Sequence, residues 1–323
     1  MAVLTFGRPA FAADIRVGIL EYGTVAWELD VIDHHGLAEK RDLDLEIVRY
    51  GGEGALDVAL NAGAVDIVVS DWLWVSRQRH EGRSFTLVPY STMVGSLMVS
   101  PDADAATLAD LKGKQIGIAG GALDKNWLLM RAYARSEEGA DLADIAEPTF
   151  AAPPLLNELM LRGDLPAVIN YWHYGARLEA AGMKRLIDVE DILEGLGVHD
   201  SVPLLGWVFD EDWAEENSKK VQAFLDASYE AKKILGESEE EWTRIRPLVQ
   251  AEDDATLKAL MINYRRGIPR TFGERQVEAA EETFAVLYRE GGGELTGGAE
   301  NLTPGTFWSG FRLQDSASST AQP

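Results

Sequence analysis

Residues 14–71 read DIRVGILEYGTVAWELDVIDHHGLAEKRDLDLEIVRYGGEGALDVALNAGAVDIVVSD. The apolar run over 15–20, bounded by Gly23, predicts a buried strand. Residues 25–41 follow with helical spacing. A second strand is predicted over 43–49, then Gly51-Gly52-Glu53-Gly54, then a helix to Ala62. A third strand is predicted over 65–70, with a helix starting near Asp71. Three strands alternating with helices imply a parallel sheet with crossover helices.

Beyond residue 71 the rhythm breaks once. Residues 85–90 and 94–100 read as two strands with little between them, which suits a crossing into a second lobe. There the rhythm resumes. A short helix is predicted over 108–112 and a strand over 115–119. Gly120-Gly121 follows, then a helix over 123–135. Strands over 147–151 and 166–170 precede helices over 153–162 and 173–181. A strand over 202–209 is read as the return to the first lobe. Helices are then predicted over 218–235, 239–249, 253–265 and 272–289. The expectation is an α/β protein of two lobes, each a mostly parallel sheet flanked by helices, with a helical C-terminal region. Lobe one comprises 14–93 plus 207–310, and lobe two comprises 94–206. Residues 311–323, rich in Ser, Ala and Gln, read as a disordered tail.

The 323 residues carry 30 Lys and Arg against 53 Asp and Glu, a formal net charge of −23. Such a surface repels phosphate backbones and anionic headgroups, so no nucleic-acid partner and no membrane insertion are expected. The chain has no cysteine. Disulfides, thiolate zinc sites and cysteine nucleophiles are therefore excluded. Residues 1–13, MAVLTFGRPAFAA, contain the small-x-small triplet Ala10-Phe11-Ala12 and are read as a signal-peptide remnant, which predicts an exported, periplasmic protein. No later run approaches the ~18 apolar residues of a membrane span. The sequence carries no nucleophile elbow, P-loop, zincin helix or calcium loop. No catalytic set and no metal site are predicted.

In open α/β sheets, ligands bind at the carboxyl ends of strands. The loops there supply the candidate binding residues. Tyr22, Thr24 and Trp27 follow the first strand, Gly52 and Glu53 the second, and Asp71 and Trp72 the third. Ser91 and Thr92 sit at the crossing. Gly121, Ala122, Asp124, Lys125 and Trp127 follow the first strand of lobe two. Tyr171 and Trp172 follow a later strand there, and Trp207 lies on the return. The clustering of Trp27, Trp72, Trp127, Trp172 and Trp207 predicts an indole-lined cleft that stacks on a flat ligand. Trp74 is the weakest indole candidate, because helical geometry turns it away from Trp72. Arg77 and Arg79 are read as surface charges. Lys125 lies in a first helical turn, where a cation opposes the helix dipole. An anionic ligand would resolve that mismatch. If the ligand were an ortho-quinone, a Lys125 amine with a lowered pKa could instead add to its carbonyl.

At this point the chain resembles the ABC-importer solute-binding proteins of the nitrate/sulfonate/taurine class, which are related to the thiamine-pyrimidine precursor binders. The resemblance covers roughly residues 14–290. It is carried by Val17-Gly18-Ile19 with Trp27, by residues 37–44, by Asp66-Ile67-Val68-Val69-Ser70-Asp71, and above all by Leu108-Ala109-Asp110-Leu111-Lys112-Gly113-Lys114-Gln115-Ile116-Gly117. It implies a periplasmic-binding-protein fold (type II), ligand-driven closure of two lobes, a permease partner in the inner membrane, monomeric behaviour and no required cofactor. Ser70-Asp71-Trp72-Leu73-Trp74 departs from the small residues of many relatives. That departure resembles Trp-rich binding proteins that accompany quinoprotein alcohol dehydrogenases, and so implies pyrroloquinoline quinone as the ligand. A sulfonate, taurine or a pyrimidine remains an alternative ligand, and an enzyme on the same fold an alternative function.

Overall fold

The computed structural model describes residues 13–313. The signal-peptide expectation falls on residues 1–13, which lie outside the described residues except for Ala13. Two five-stranded sheets organise the chain. The first opens with β1 (Ile15–Leu20), α1 (Val25–His34), β2 (Leu45–Tyr50), α2 (Glu53–Asn61), β3 (Ile67–Asp71), α3 (Trp72–His80) and β4 (Phe85–Ser91). The second contains β5 (Gly95–Val99), β6 (Gln115–Ile118), α4 (Lys125–Glu138), α5 (Leu142–Ile145), β7 (Glu147–Phe150) and α6 (Pro153–Leu161). It continues with β8 (Ala167–Tyr171), α7 (Trp172–Ala180), β9 (Lys184–Asp188) and α8 (Val189–Gly195). The chain then returns through β10 (Leu205–Asp210) to α9 (Glu211–Glu216), α10 (Ser218–Glu237), α11 (Glu239–Val249), α12 (Asp254–Arg266), α13 (Glu274–Gly291) and α14 (Gly293–Thr296).

The strand orders are β2-β1-β3-β10-β4 and β7-β6-β8-β5-β9. In each sheet one strand runs against the rest. It is β10 in the first and β5 in the second, the strands that enter each sheet by crossing from the other. The parallel triplets β2-β1-β3 and β7-β6-β8 put their carboxyl ends, and the helix starts that follow, on one edge. Strands β1 and β3–β5 are largely buried and correspondingly rich in Val, Ile and Leu, as expected where helices cover both faces. Gly206 on β10 sits against its neighbour so closely that a Cβ there would lie 2.0 Å from Leu87 Cγ. No side chain fits at that point.

Three expectations change. The helix over 25–41 ends at His34, because Gly36 takes φ +61° and turns the chain. Strand β9 and helix α8, absent from the sequence reading, fill residues 184–195. At the C-terminus, Phe311 is buried and Leu313 pairs with Phe272, so the ordered chain runs on into the stretch read as a tail. The C-terminal helices also do more than cover the first sheet. Helix α12 packs on α7, and α13 packs on α4, both helices of the second sheet.

Candidate functional site

The carboxyl ends of β1, β3, β6 and β8 converge on a cavity of about 400 Å³ between the two sheets. Helices α2, α3, α4 and α7 all begin at its wall. Each start follows from local chemistry. Asp71 caps α3, its Oδ1 accepting from the Trp74 N–H at 2.8 Å. Asp124 caps α4, accepting from the Asn126 N–H at 2.8 Å. Gly120, at φ +81°, brings the chain round so tightly that a Cβ would meet the Asp124 carboxylate at 2.6 Å.

Lys125 occupies the first turn of α4 with its side chain buried, and its partners lie within the protein. Its Nζ is 3.3 Å from Asp124, 3.6 Å from Glu53 and 4.0 Å from Asp71. Burial alone would lower its pKa, but Glu53, Asp124 and Asp71 outweigh burial and raise it. The dipole mismatch that suggested an anionic ligand is thus met by three carboxylates. The carbonyl-addition route, which needs a neutral amine, is corrected by the same geometry. Tyr171 donates its hydroxyl hydrogen to Glu53 Oε1 at 2.8 Å, and burial next to that carboxylate raises its own pKa. This bond joins β8 of the second sheet to α2 of the first.

A second bridge joins the sheets. His173 Nε2 donates to the Tyr22 carbonyl at 3.2 Å. Burial lowers the His173 pKa to about 3, with Arg177 adding to the effect, so the ring is neutral. Its Nδ1 is left as a bare acceptor with no partner among the described residues.

The wall is acidic. Glu53, Asp57, Asp71, Glu81 and Asp124 line the cavity, against Lys125 and Arg77. Asp71 and Asp124 are explained as caps. Asp57 lies one turn past Glu53 on the same face of α2, and its carboxylate accepts no hydrogen bond and makes no ion pair among the described residues. Burial pushes its pKa up to about 7, with Glu53 and Asp71 adding repulsion and Lys125 and Arg77 opposing. A carboxyl whose folded pKa exceeds its unfolded value of 3.8 holds its proton longer in the folded state. Its ionisation therefore costs stability as pH rises from about 4 through about 7. Asp57→Asn is expected to raise the thermal midpoint at pH 8, with the gain shrinking as pH falls and vanishing below about pH 4. The effect is bounded by about 4 kcal/mol. A gain of equal size at both ends of that range would show that Asp57 ionises freely.

Of the residues singled out from sequence, Thr24, Glu53, Asp71, Asp124, Lys125, Tyr171 and Trp172 line the cavity together. Tyr22 stands beside it through the His173 bridge. Ser91 lines a small recess behind Trp172, with Tyr90 and Lys232. The Thr92 N–H donates to the Gly267 carbonyl, and Gly52, Gly121 and Ala122 lie outside the lining. The five-indole cleft does not form. Trp72 is buried against Phe284 and Phe307. Trp127 is buried near Phe150, and Trp27 packs among Trp172, Trp242 and Tyr264. Trp207 is wholly buried, its indole N–H donating to Ser228 at 2.9 Å. These indoles face inward because their strands and helix starts place them on the core side. Trp74 lines the cavity, and so does Arg77, read from sequence as a surface charge. Asp57, Glu81, Tyr90 and His173 complete the polar wall. Two of these carried a sequence signal: Asp57 in its one-turn spacing from Glu53, and His173 in its place just past the strand predicted over 166–170. A flat tricarboxylate would meet five carboxylates here, so pyrroloquinoline quinone finds no support in this wall.

The family model described as "NMT1/THI5 like" matches residues 31–241. Among curated proteins, none matches this chain in sequence. Among solved structures, the alkanesulfonate-binding protein SsuA from Xanthomonas axonopodis pv. citri, bound to MOPS, is similar at TM-score 0.71 and 19% identity, over 93% of this chain and 99% of that one. The periplasmic aliphatic sulphonate-binding protein SsuA from Escherichia coli is similar at TM-score 0.70 and 16% identity, over 93% and 92%. The periplasmic nitrate-binding protein NrtA from Synechocystis PCC 6803 gives TM-score 0.59 and 12% identity, over 80% and 70%. At these identities the likeness is one of fold, the two-lobed periplasmic-binding-protein architecture.

Proposed function

The chain belongs to the NMT1/THI5-like family, and on that premise we propose that it is the solute-binding component of an ABC-type importer. It captures a small molecule between its two sheets in the periplasm and hands it to a membrane permease. The observation that carries this reading is the cavity itself. Its volume is that of a ligand site, and it is walled by the strand ends of both sheets. The Tyr171–Glu53 and His173–Tyr22 bonds span the same gap. Contacts that join two lobes only when they approach are the means by which ligand binding is coupled to closure. Among the described residues no helix is long and apolar enough to cross a membrane, and no cluster of His, Asp and Glu fits a metal ion.

Native mass spectrometry of the protein isolated from its own source, without unfolding, tests this. A small noncovalent adduct is expected, released on denaturation and unchanged after long incubation. A compound that is chemically converted during incubation would establish an enzyme instead.

A further inference from the structure

We propose that the two sheets close on each other before a ligand arrives, and that Glu53 is the latch that holds them. The inference rests on the solute-binding reading and reverses the order of its steps. Closure comes first, and the ligand enters during brief openings of a protein that is already shut.

The polar groups that face each other across the cavity complete one another. Glu53 begins α2, beside the first sheet. Its Oε1 accepts from the Tyr171 hydroxyl of β8 at 2.8 Å and lies 3.6 Å from Lys125 Nζ on α4. Among the described residues, the Tyr171–Glu53 bond is the one hydrogen bond at the cavity wall that joins a side chain of one sheet to a side chain of the other. Lys125 hydrogen-bonds Asp124, the cap of its own helix, and also faces Asp71 of the first sheet at 4.0 Å. Tyr171 and Lys125 are both more than nine-tenths buried, so neither can turn to bulk water instead.

Charge sets the sign of this contact. Glu53, Asp57 and Asp71 gather on the first sheet's side of the cavity. Burial raises the pKa of Glu53, and Lys125, from the other sheet, is the largest influence opposing that rise. Lys125 opposes the rise at Asp57 as well. Separating the sheets would draw the cation away from three carboxylates and leave them facing one another. It would also take a charged acceptor from the Tyr171 hydroxyl, and charge-assisted bonds are the stronger kind. A cleft whose faces repelled each other would need the ligand as its bridge, but these faces attract. His173 and Arg177 add bonds to the carbonyls of Tyr22, Val249 and Gln250 across the same gap, but none of these joins two charges.

The chain has no cysteine, so two introduced cysteines carry spin labels at two known places only. Val58→Cys on α2 and Leu161→Cys on α6 replace exposed side chains, one beside each sheet. The labelled protein is unfolded, dialysed, refolded and checked by native mass spectrometry to carry no adduct. Pulsed dipolar spectroscopy is expected to give one dominant, short distance. Glu53→Ala should lower the ratio of closed to open molecules about tenfold or more and bring up a second, longer distance. Tyr171→Phe, which keeps Lys125 opposite Glu53, should do the same to a smaller extent. Unchanged circular dichroism separates an open molecule from an unfolded one, and Glu53→Gln serves in place of an alanine variant that does not refold. A dominant long distance in the empty parent, or a Glu53 variant whose distances match the parent's, overturns the inference. The solute-binding reading fails on different grounds, when native mass spectrometry of protein from its own source finds no adduct, whatever the labels report.

Discussion

Lys232→Met is expected to lower the free energy of unfolding by about 3–5 kcal/mol, because it strands a buried carboxylate. Glu28 on α1 and Lys232 on α10 form an ion pair whose side chains are 0% and 2% exposed. The Ser228 hydroxyl donates to Glu28 Oε1 at 2.5 Å, and the Tyr264 hydroxyl donates to Oε2 at 3.3 Å. The Lys232 ammonium lies 3.5 Å from the Tyr90 ring centroid. Burial lowers the pKa of Lys232, with Glu28 opposing, so the pair persists only while both partners are present. Replacing both, as Glu28→Leu with Lys232→Met, should recover much of the loss, since apolar pairs of similar volume often match buried ion pairs. Urea unfolding of the two variants reads the difference. A single variant within about 0.5 kcal/mol of the parent would mean that water reaches the pair. The network matters for the site because Tyr90 and Lys232 back the wall on which Thr24 and Trp172 sit.

The indoles divide by what they lose. Trp207→Ala should cost about 3–5 kcal/mol of stability through the void it leaves, and little ligand affinity. Its ring is packed at 4.8 Å from Phe224 and 5.1 Å from Tyr90, centroid to centroid, away from the cavity. Trp74→Ala is expected to do the reverse. The residue is half-buried on the cavity wall, so its truncation removes contact with the bound molecule and costs less packing, chiefly its contact with Phe85 at 5.5 Å between ring centroids. Paired unfolding and binding titrations measure both quantities. Equal losses of affinity in the two variants would restore the indole-lined cleft that the sequence suggested.

That reversal shows where sequence reading runs out. The βα rhythm, the crossing between β4 and β5 and the return at β10 were legible, because most of these strands are short apolar runs with a glycine or proline near one end. The strand ends also located the cavity. They did not say which way a side chain turns within one helical turn. Trp72 and Trp74 sit two residues apart, and a helix sends such residues to different sides. Trp72 fills the core, and Trp74 meets the cavity. Lys125 was read against its own helix alone. Its partners Glu53 and Asp71 come from the other sheet, and no local pattern announces a contact made across a cleft. Residues 184–195 escaped notice because their strand is only partly buried and carries charge, which hides a period of two. The packing of α12 and α13 on helices of the second sheet is likewise tertiary.

The claim that a small molecule is bound between the two sheets is tested most directly by a crystal structure of the protein purified from its own source without unfolding. Density for one compound is expected in the cavity, against Trp74 or Trp172. A compound bound anywhere else on the molecule, with this cavity holding only water, would contradict the account.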